Sequence, residues 1–184
     1  NNCHDHTMVL MVGGLGKRLR PFTETCPKPM LDVAGKPMLQ HIVERAREQG
    51  FLNFIFCINY HGKVIRDFFG EGNKFGVKIE YVEESQPLGT AGALSLIKNP
   101  PTQDFVVSNG DVLTDVDYTE LLNFLRLQDA QGAMAVKLHE WTNPFGVVEM
   151  EGLKITGFSE KPVLRSHVNA GILSLIHISE PTRR

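Results

Sequence analysis

The sequence predicts an α/β domain in which a largely parallel sheet is covered by helices and an antiparallel hairpin is added late in the chain. Short apolar runs alternate with helix-like segments four times before the pattern changes to hairpins. Residues 51–58 are nearly all apolar, which is typical of a strand covered on both faces. In such sheets ligands bind beyond the carboxyl ends of the strands, so the residues that follow the strands are the candidates for function.

The first half of the chain supplies the parallel strands and two helices. The apolar run 8–12 stops abruptly at glycine and predicts a buried first strand. A helix is predicted from Pro37 to about Gln49, because proline suits a first turn and Gly50 provides a stop. Its apolar stripe comprises Met38, Leu39, Ile42, Val43 and Ala46. The other predicted elements are an extended piece over 30–33, a strand over 51–58, a helix over 63–69 and a strand over 77–82.

The second half begins in the same alternating pattern and ends in hairpins. Asp117 is placed to cap a helix over 118–128, and Glu120 completes a capping-box-like pair. The other predicted elements are a small-residue helix over 91–97, strands over 104–108 and 133–138, a hairpin of 146–150 with 153–159, and a last strand over 168–173.

Composition excludes several classes of protein. The 184 residues suffice for one domain with a sizeable core, and the 42% hydrophobic and 22% charged content is ordinary for a globular domain. A net charge of −2 gives no reason to expect nucleic acid or an acidic membrane as partner. No apolar run reaches the ~20 residues that span a bilayer. The scattered cysteines Cys3, Cys26 and Cys57 lack metal-site spacing and favour a reduced, cytoplasmic setting.

Both ends are expected to lie outside the domain, which would occupy residues 8–173. Residues 1–7 read as a disordered remnant, since His4 and His6 have no further ligand that would close a metal site. Residues 174–184 break the local pattern and are interpreted as a non-native tail.

A glycine-rich loop follows the first strand and carries the strongest functional signal. Its glycines let backbone N–H groups approach a ligand closely, and they are Gly13, Gly14 and Gly16. Cations follow at Lys17, Arg18 and Arg20, and Lys28 stands later between two prolines. A bare backbone with fixed cations suits a polyphosphate, although the loop alone could be a surface turn with solvated charges.

Two familiar phosphate loops do not fit this spacing. The Rossmann fingerprint would need glycine where the chain has Leu19, and the P-loop would need Ser or Thr where it has Arg18. The pattern G-G-x-G-x-R-L-x-P-x-T over 13–23, followed by P-K-P-M over 27–30, instead resembles the signature of the sugar-phosphate nucleotidyltransferases. The likeness covers about 8–173 and implies a Rossmann-like sheet of the nucleotide-diphospho-sugar transferase type. It departs at Val12, where relatives usually have Ala.

Residues 86–90, Q-P-L-G-T, follow the third main strand. Gln86 can hydrogen-bond to the edge of a base and Gly89 lets a base lie close to the backbone, although the segment also suits a plain turn into a helix. The segment from Gln86 through Thr90 resembles the family's base-recognition segment.

Asp111 ends the sequence Asn-Gly-Asp after the fourth main strand. A carboxylate there can hold a divalent ion that bridges triphosphate oxygens, or it can merely cap a turn. The resemblance makes Asp111 a Mg²⁺ ligand. Relatives usually have a second aspartate beyond the strand containing N-A-G-I, and the family likeness stops near Leu173, so a C-terminal truncation that removes this ligand is expected.

Three later segments resemble the sugar side of the family's site. Gly146 would leave room for the ring, Glu160 would accept bonds from sugar hydroxyls, and Lys161 would contact the sugar phosphate. Asn169 belongs to the third segment, Asn-Ala-Gly. From the residues alone, Glu160 and Lys161 could equally be a solvated surface pair.

The resemblance implies transfer of a nucleoside monophosphate from an NTP to a sugar 1-phosphate, giving an NDP-sugar and pyrophosphate. Arg18 would hold the departing phosphates, and Lys28 would steady the α-phosphate and the sugar phosphate. The segments V-L-M-V-G-G-L-G over 9–16, N-G-D-V-L-T-D-V-D over 109–117 and F-G-V-V-E over 145–149 together most resemble bacterial hexose 1-phosphate guanylyltransferase-like enzymes. Some of these carry N-terminal cystathionine-β-synthase-type regulatory modules, which the abrupt start of this chain would have lost.

Other functions stay open at this point. Thymidylyl or uridylyl transfer to glucose 1-phosphate is the nearest alternative, and cytidylyl transfer to phosphocholine is a more distant one. A non-catalytic nucleotide-binding regulatory module is the alternative from another class. The sequence does not determine the base, the sugar, or whether the chain forms a homo-oligomer.

Overall fold

The computed structural model describes residues 5–14, 16, 19, 21, 23, 26–59, 61–85 and 92–176. The chain divides into two compact units, one formed by residues 1–134 with 171–184 and the other by residues 135–170. The sequence predicted a single domain over 8–173, because no linker or change of composition marks these boundaries.

Within the described ranges, strands and helices follow the predicted alternation. The strands are β1 (His6–Met11), β2 (Asp32–Val33), β3 (Lys36–Pro37), β4 (Phe51–Ile58), β5 (Lys78–Glu83), β6 (Phe105–Asn109), β7 (Gly132–Thr142), β8 (Val147–Glu151), β9 (Lys154–Ser159) and β10 (Val163–Leu175). The helices are α1 (Met38–Glu48), α2 (Gly62–Phe69) and α3 (Tyr118–Leu127).

The main sheet is mostly parallel, as predicted. Its strand order among the described residues is β5-β4-β1-β6-β10-β7. β4 is parallel to both β1 and β5, and β1 is parallel to β6. The antiparallel addition is β10, whose residues 172–175 pair with residues 105–108 of β6. The middle of β1 is fully buried inside this sheet, with Met8, Val9 and Leu10 at 0% exposure.

Two helices show how the sequence specifies the layers on this sheet. α1 packs against β4 through the predicted stripe, burying Leu39, Ile42, Val43 and Ala46. Asp117 caps α3 as predicted, since its carboxylate accepts hydrogen bonds from the N–H groups of Thr119 at 2.8 Å and Glu120 at 3.1 Å. Residues 92–96 form a short 3₁₀ helix instead of the predicted small-residue α-helix, which is consistent with the low helix propensity of glycine and serine.

The sheet extends beyond both predicted ends of the domain. β1 begins at His6, which pairs with Phe51, so residues 6 and 7 lie in a strand and not in a disordered remnant. β10 continues through Ser174, which is fully buried and pairs with Val106, to Leu175. The sequence did not predict these extensions, because they contain polar residues that interrupt the apolar pattern. Strand pairing satisfies the backbone hydrogen bonds of polar residues as well as those of apolar ones. Residues 1–4 and 177–184 lie outside the described part of the chain.

The unit of residues 135–170 contains the predicted hairpin. β8 and β9 pair antiparallel, with Val148 opposite Phe158 and Met150 opposite Ile155. β7 and β10 are both longer than predicted, since β7 continues past Leu138 to Thr142 and β10 begins at Val163 instead of 168. Among the described residues, no helix combines the length and the apolar composition that crossing a bilayer requires.

Candidate active site

The direction in which the chain adds strands to the sheet reverses between β1 and β6. β1 lies between β4 and β6, and the chain moves outward from β1 to β4 and β5 on one side before it returns to β6 on the other. This reversal is the topological switch point at which open α/β sheets bind ligands. The glycine-rich loop follows β1 and Asp111 follows β6, so both predicted motifs lie at this point.

Lys28 and Asp111 meet in this region. The Lys28 Nζ atom lies 2.5 Å from Asp111 Oδ2, although the two residues are 83 positions apart in the sequence. The two side chains are 33% and 32% exposed. They are therefore accessible to a ligand, and each carries a charge that a ligand of opposite sign could attract away from the other.

Two prolines set the backbone that presents Lys28. Pro27 has φ −65° and precedes a 3₁₀ helix over Lys28–Met30, in which Pro29 is buried. The Met30 N–H donates to the Pro27 carbonyl at 2.8 Å, and the Leu31 N–H donates to the Lys28 carbonyl at 3.1 Å. The fixed φ of proline and these bonds give Lys28 a defined backbone position.

Gly110, the residue before Asp111, packs closely against the end of β1. The Gly110 N–H donates to the Met11 carbonyl at 2.9 Å. A Cβ atom on Gly110 would lie 2.2 Å from Val12 Cγ1, so only glycine fits beside this valine. Val12, the position that departs from the family pattern, therefore fills the space that the missing side chain leaves.

The three glycines of the loop have different surroundings. A Cβ atom on Gly13 would lie 3.1 Å from Asn59 Cβ, whereas one on Gly14 would meet nothing within 4 Å. Gly16 has φ +57°, and a Cβ atom there would lie 2.9 Å from Thr23 Cγ2 and 3.3 Å from Lys28 Cβ. Gly16 thus has a left-handed backbone conformation and lies close to Lys28, the candidate phosphate-binding residue. Both features favour glycine at this position.

The sequence predicted no role for Thr23 or Gly110, yet both contribute contacts to this site. The Thr23 hydroxyl donates to the Gly16 carbonyl at 2.9 Å, and Thr23 is only 3% exposed. The available signal was their position inside the two motifs, since Thr23 ends the first signature and Gly110 precedes Asp111. Arg18, Gln86, Gly89 and Thr90 lie outside the described residues.

The predicted sugar-site residues belong to the unit of residues 135–170. A Cβ atom on Gly146 would lie 2.6 Å from Phe158 Cζ and 3.1 Å from Glu160 Oε2. The structure thus brings Gly146 close to the Phe158 ring and to Glu160, in a place where no side chain larger than that of glycine fits. Lys161 is exposed and has φ +45°, an uncommon backbone conformation for a residue with a side chain. Asn169 is exposed in β10.

Asp111 suits a metal ion whose other ligands are substrate phosphates and water molecules. In the described ranges, no three His, Cys, Asp or Glu side chains gather closely enough to hold a metal ion by themselves. The Asp111 carboxylate does accept a cation, the Lys28 ammonium group, at 2.5 Å. Mg²⁺ is commonly bound through one or two carboxylates together with substrate phosphates and water, and a single carboxylate fits that pattern.

The buried cysteine near this sheet edge has no reactive character. Burial, followed by the charge of Glu84, raises the pKa of the Cys57 thiol to about 12. Burial also raises the pKa of the Cys26 thiol. Both thiols are free. At neutral pH they are protonated, so neither offers a thiolate for nucleophilic chemistry.

Curated relatives share much of this sequence. A probable mannose-1-phosphate guanylyltransferase 1 from Oryza sativa subsp. japonica is 35% identical over 176 residues, which cover 91% of this chain and 49% of that protein. A mannose-1-phosphate guanyltransferase from Yarrowia lipolytica is 37% identical over 175 residues, covering 91% of this chain and 48% of that protein. The chain spans about half the length of the curated relatives it matches.

Solved structures and a family model agree with this similarity. HddC from Yersinia pseudotuberculosis, complexed with GMP-PN, superposes with a TM-score of 0.70 at 26% identity, covering 93% of this chain and 76% of that one. A putative glucose-1-phosphate thymidylyltransferase from Bacillus anthracis superposes with a TM-score of 0.72 at 26% identity, covering 93% and 71%. The family model described as nucleotidyl transferase matches residues 7–175, and the chain belongs to the nucleotidyl transferase family.

Proposed function

We propose that this chain carries the catalytic site of a sugar-1-phosphate nucleotidyltransferase that uses GTP. It would transfer GMP to a hexose 1-phosphate and release pyrophosphate. The observation that carries the proposal is the meeting of Lys28 and Asp111 at the carboxyl ends of β1 and β6. The pair brings together the cation proposed to bind phosphate and the carboxylate proposed to bind the metal ion, and Gly16 of the glycine-rich loop packs close to Lys28.

The proposed reaction is an in-line displacement at phosphorus. A sugar 1-phosphate oxygen forms a bond to the α-phosphorus, and the bond from that phosphorus to the α,β-bridging oxygen breaks. The electron pair of the broken bond leaves with pyrophosphate. The attacking phosphate oxygen is already anionic, so no general base is needed, and the protein contributes positioning and neutralisation of charge.

The residues of the two motifs divide this work. Lys28 steadies the α-phosphate and the incoming sugar phosphate, and Arg18, by the family resemblance, holds the departing β- and γ-phosphates. Asp111 is proposed to hold Mg²⁺, which would neutralise charge on the triphosphate oxygens when bound. Gln86, Gly89 and Thr90 are proposed to select the base, and Gly146, Glu160, Lys161 and Asn169 to contact the sugar.

The choice of GTP rests on the relatives, and mannose 1-phosphate is the first sugar to test. The Oryza sativa and Yarrowia lipolytica proteins are both described as acting on mannose 1-phosphate with a guanylyl group. The likeness to the Bacillus anthracis protein supports a second candidate, thymidylyl transfer to glucose 1-phosphate. The cytoplasm as the site of action and a homo-oligomeric state also remain predictions.

A substrate panel tests the proposal. Pyrophosphate release is measured with Mg²⁺ for GTP, dTTP, UTP, CTP and ATP, each combined with mannose, glucose, glucosamine and choline phosphates. The proposal predicts the fastest release with GTP and mannose 1-phosphate. Fastest release with dTTP or UTP and glucose 1-phosphate would replace it by the second candidate.

Binding measured beside turnover separates the remaining alternative. Equilibrium binding of GTP with Mg²⁺ is measured on the same preparation as the panel. GTP binding without release for any pair would favour a nucleotide-binding regulatory module over a transferase. The absence of both binding and release would contradict the proposed function.

A further inference from the structure

Thr23 ties the glycine-rich loop to the backbone that follows it. Its hydroxyl donates to the Gly16 carbonyl at 2.9 Å, across seven positions of sequence. The same carbonyl accepts a second hydrogen bond from the Leu19 N–H at 2.9 Å. Two donors on one carbonyl oxygen use both of its lone pairs and fix the direction in which the Gly16 carbonyl points.

The direction of this carbonyl matters for an anion site. A loop binds phosphate through N–H groups, and a carbonyl oxygen turned toward the same anion would repel it. Gly16 has φ +57° and little steric restraint of its own, so its carbonyl needs an external partner to hold one orientation. The Thr23 hydroxyl is such a partner, and at 3% exposure Thr23 is shielded from competing water.

The methyl group of Thr23 and the Lys28 side chain both approach Gly16. The position that a Cβ atom on Gly16 would take lies 2.9 Å from Thr23 Cγ2 and 3.3 Å from Lys28 Cβ. Gly16, Thr23 and Lys28 therefore pack around one small volume. A substitution at Thr23 would therefore change the packing around Gly16, and with it the positions of the loop backbone and of the Lys28 side chain.

We propose that Thr23 is a positioning residue for the triphosphate. Its hydroxyl turns the Gly16 carbonyl away from the bound phosphates, and its methyl group keeps the loop seated against Lys28. Thr23 touches neither substrate nor metal in this role and acts through Gly16 and Lys28. The inference rests on the proposed function, because it requires that the loop binds the phosphates of an NTP.

Affinities for GTP and GMP test this role. Thr23→Val keeps the shape of the side chain and removes the hydroxyl. We expect it to weaken GTP binding in the presence of Mg²⁺ about five- to tenfold, the effect of losing about one hydrogen bond. GMP lacks the β- and γ-phosphates, so its affinity should change less than about twofold by the same reasoning.

Thr23→Ser and Thr119→Val provide the matched controls. Thr23→Ser keeps the hydroxyl, and its GTP affinity should stay within about threefold of the parent. Thr119→Val removes another threonine hydroxyl, which donates to Asp117 at 2.6 Å on the first turn of α3. That variant should lower stability without changing the ratio of GTP to GMP affinity. If Thr23→Val does not fold, Thr23→Ala replaces it, because it also removes the hydroxyl and adds no bulk.

The possible outcomes distinguish a failure of the proposed role of Thr23 from a failure of the proposed nucleotidyltransferase function. A parent that binds GTP while Thr23→Val binds it equally well would overturn the positioning role alone. Equal weakening of GTP and GMP would also overturn it, because that result indicates a general structural effect. A parent that binds neither nucleotide would contradict the proposed function, and the role of Thr23 with it.

Discussion

Lys28 and Asp111 form an ion pair of 2.5 Å between the loop region after β1 and the end of β6. Each is also the residue that its own motif assigns to a different partner, a phosphate for Lys28 and a metal ion for Asp111. In the proposed function the pair would therefore separate when a nucleotide and its metal ion bind. Since both side chains are about one third exposed, the pair is weak enough for such an exchange.

Replacing Lys28 by methionine should change metal and nucleotide affinity in opposite directions. Lys28→Met removes the cation that competes for Asp111, so Mn²⁺ should bind about two- to fivefold more tightly in the absence of nucleotide, the range for an exposed ion pair. GTP should bind more weakly, because a phosphate contact is lost. Free Mn²⁺ is measured by electron paramagnetic resonance and GTP binding by calorimetry.

Lys36→Met is the control for this experiment. Lys36 is also partly exposed and ion-paired, but its partner is Glu44 on α1. Its replacement should leave both affinities unchanged. Unchanged Mn²⁺ affinity in Lys28→Met would show that Lys28 does not compete with the metal ion.

Turnover should depend strongly on Lys28. If Lys28 stabilises charge that develops in the transition state, Lys28→Ala should lower kcat about 10²- to 10³-fold, by analogy with the loss of one preorganised donor. The comparison uses initial rates of pyrophosphate release at saturating substrates, with Lys36→Ala as the matched variant. Activity of Lys28→Ala within threefold of the parent would exclude this role.

Gly110 should tolerate alanine only when Val12 is shortened. A Cβ atom on Gly110 would lie 2.2 Å from Val12 Cγ1, so Gly110→Ala should reduce the free energy of unfolding by about 1–3 kcal/mol. Adding Val12→Ala removes the clashing methyl group. The double variant should then lose at least about 1 kcal/mol less than the sum of the two single variants. Urea unfolding of the four proteins measures this coupling.

Gly14 supplies the control for that cycle. A Cβ atom on Gly14 would meet nothing within 4 Å, and Gly14→Ala should change stability by less than about 0.5 kcal/mol. Strict additivity of Gly110→Ala and Val12→Ala would contradict the packing relationship between these residues.

The sequence was sufficient for the parts of the molecule that follow local rules. The continuous apolar run 51–58 was predicted as a strand with the bounds that the structure has. The parallel arrangement follows from the alternation of strands with helices, and ligand binding beyond the carboxyl ends of the strands is expected from the parallel arrangement. Lys28 and Asp111 could be expected in one region. Lys28 belongs to the signature that follows the first strand, and Asp111 follows the fourth main strand, whose carboxyl end was predicted at the same edge of the sheet.

The remaining features depend on contacts between residues that are distant in the sequence. That Val12 fills the space beside Gly110 cannot be read from either residue, because the contact joins the ends of two different strands. The hydroxyl of Thr23 could bond in many ways until the loop places the Gly16 carbonyl beside it. Residues 6 and 7 belong to β1 because β4 offers partners for them, and their own polarity suggested the opposite.

The cap of α3 should make part of the stability depend on pH. The hydrogen bond from the Thr119 hydroxyl, together with those from the backbone N–H groups of Glu120 and Thr119, lowers the pKa of the Asp117 carboxyl. A carboxyl with a pKa lowered by folding stabilises the protein above its unfolded pKa of about 3.9, and this contribution is lost as the pH falls through the folded pKa. Asp117→Ala should therefore reduce the free energy of unfolding by about 1 kcal/mol at pH 7 and by less at pH 3, measured by urea unfolding at both pH values.

Asp117→Asn is the control, because it keeps a capping side chain that does not titrate. The difference in free energy of unfolding between Asp117→Asn and Asp117→Ala should be the same at both pH values. A cost of Asp117→Ala that did not change with pH would mean that the ionised carboxylate does not act as the cap.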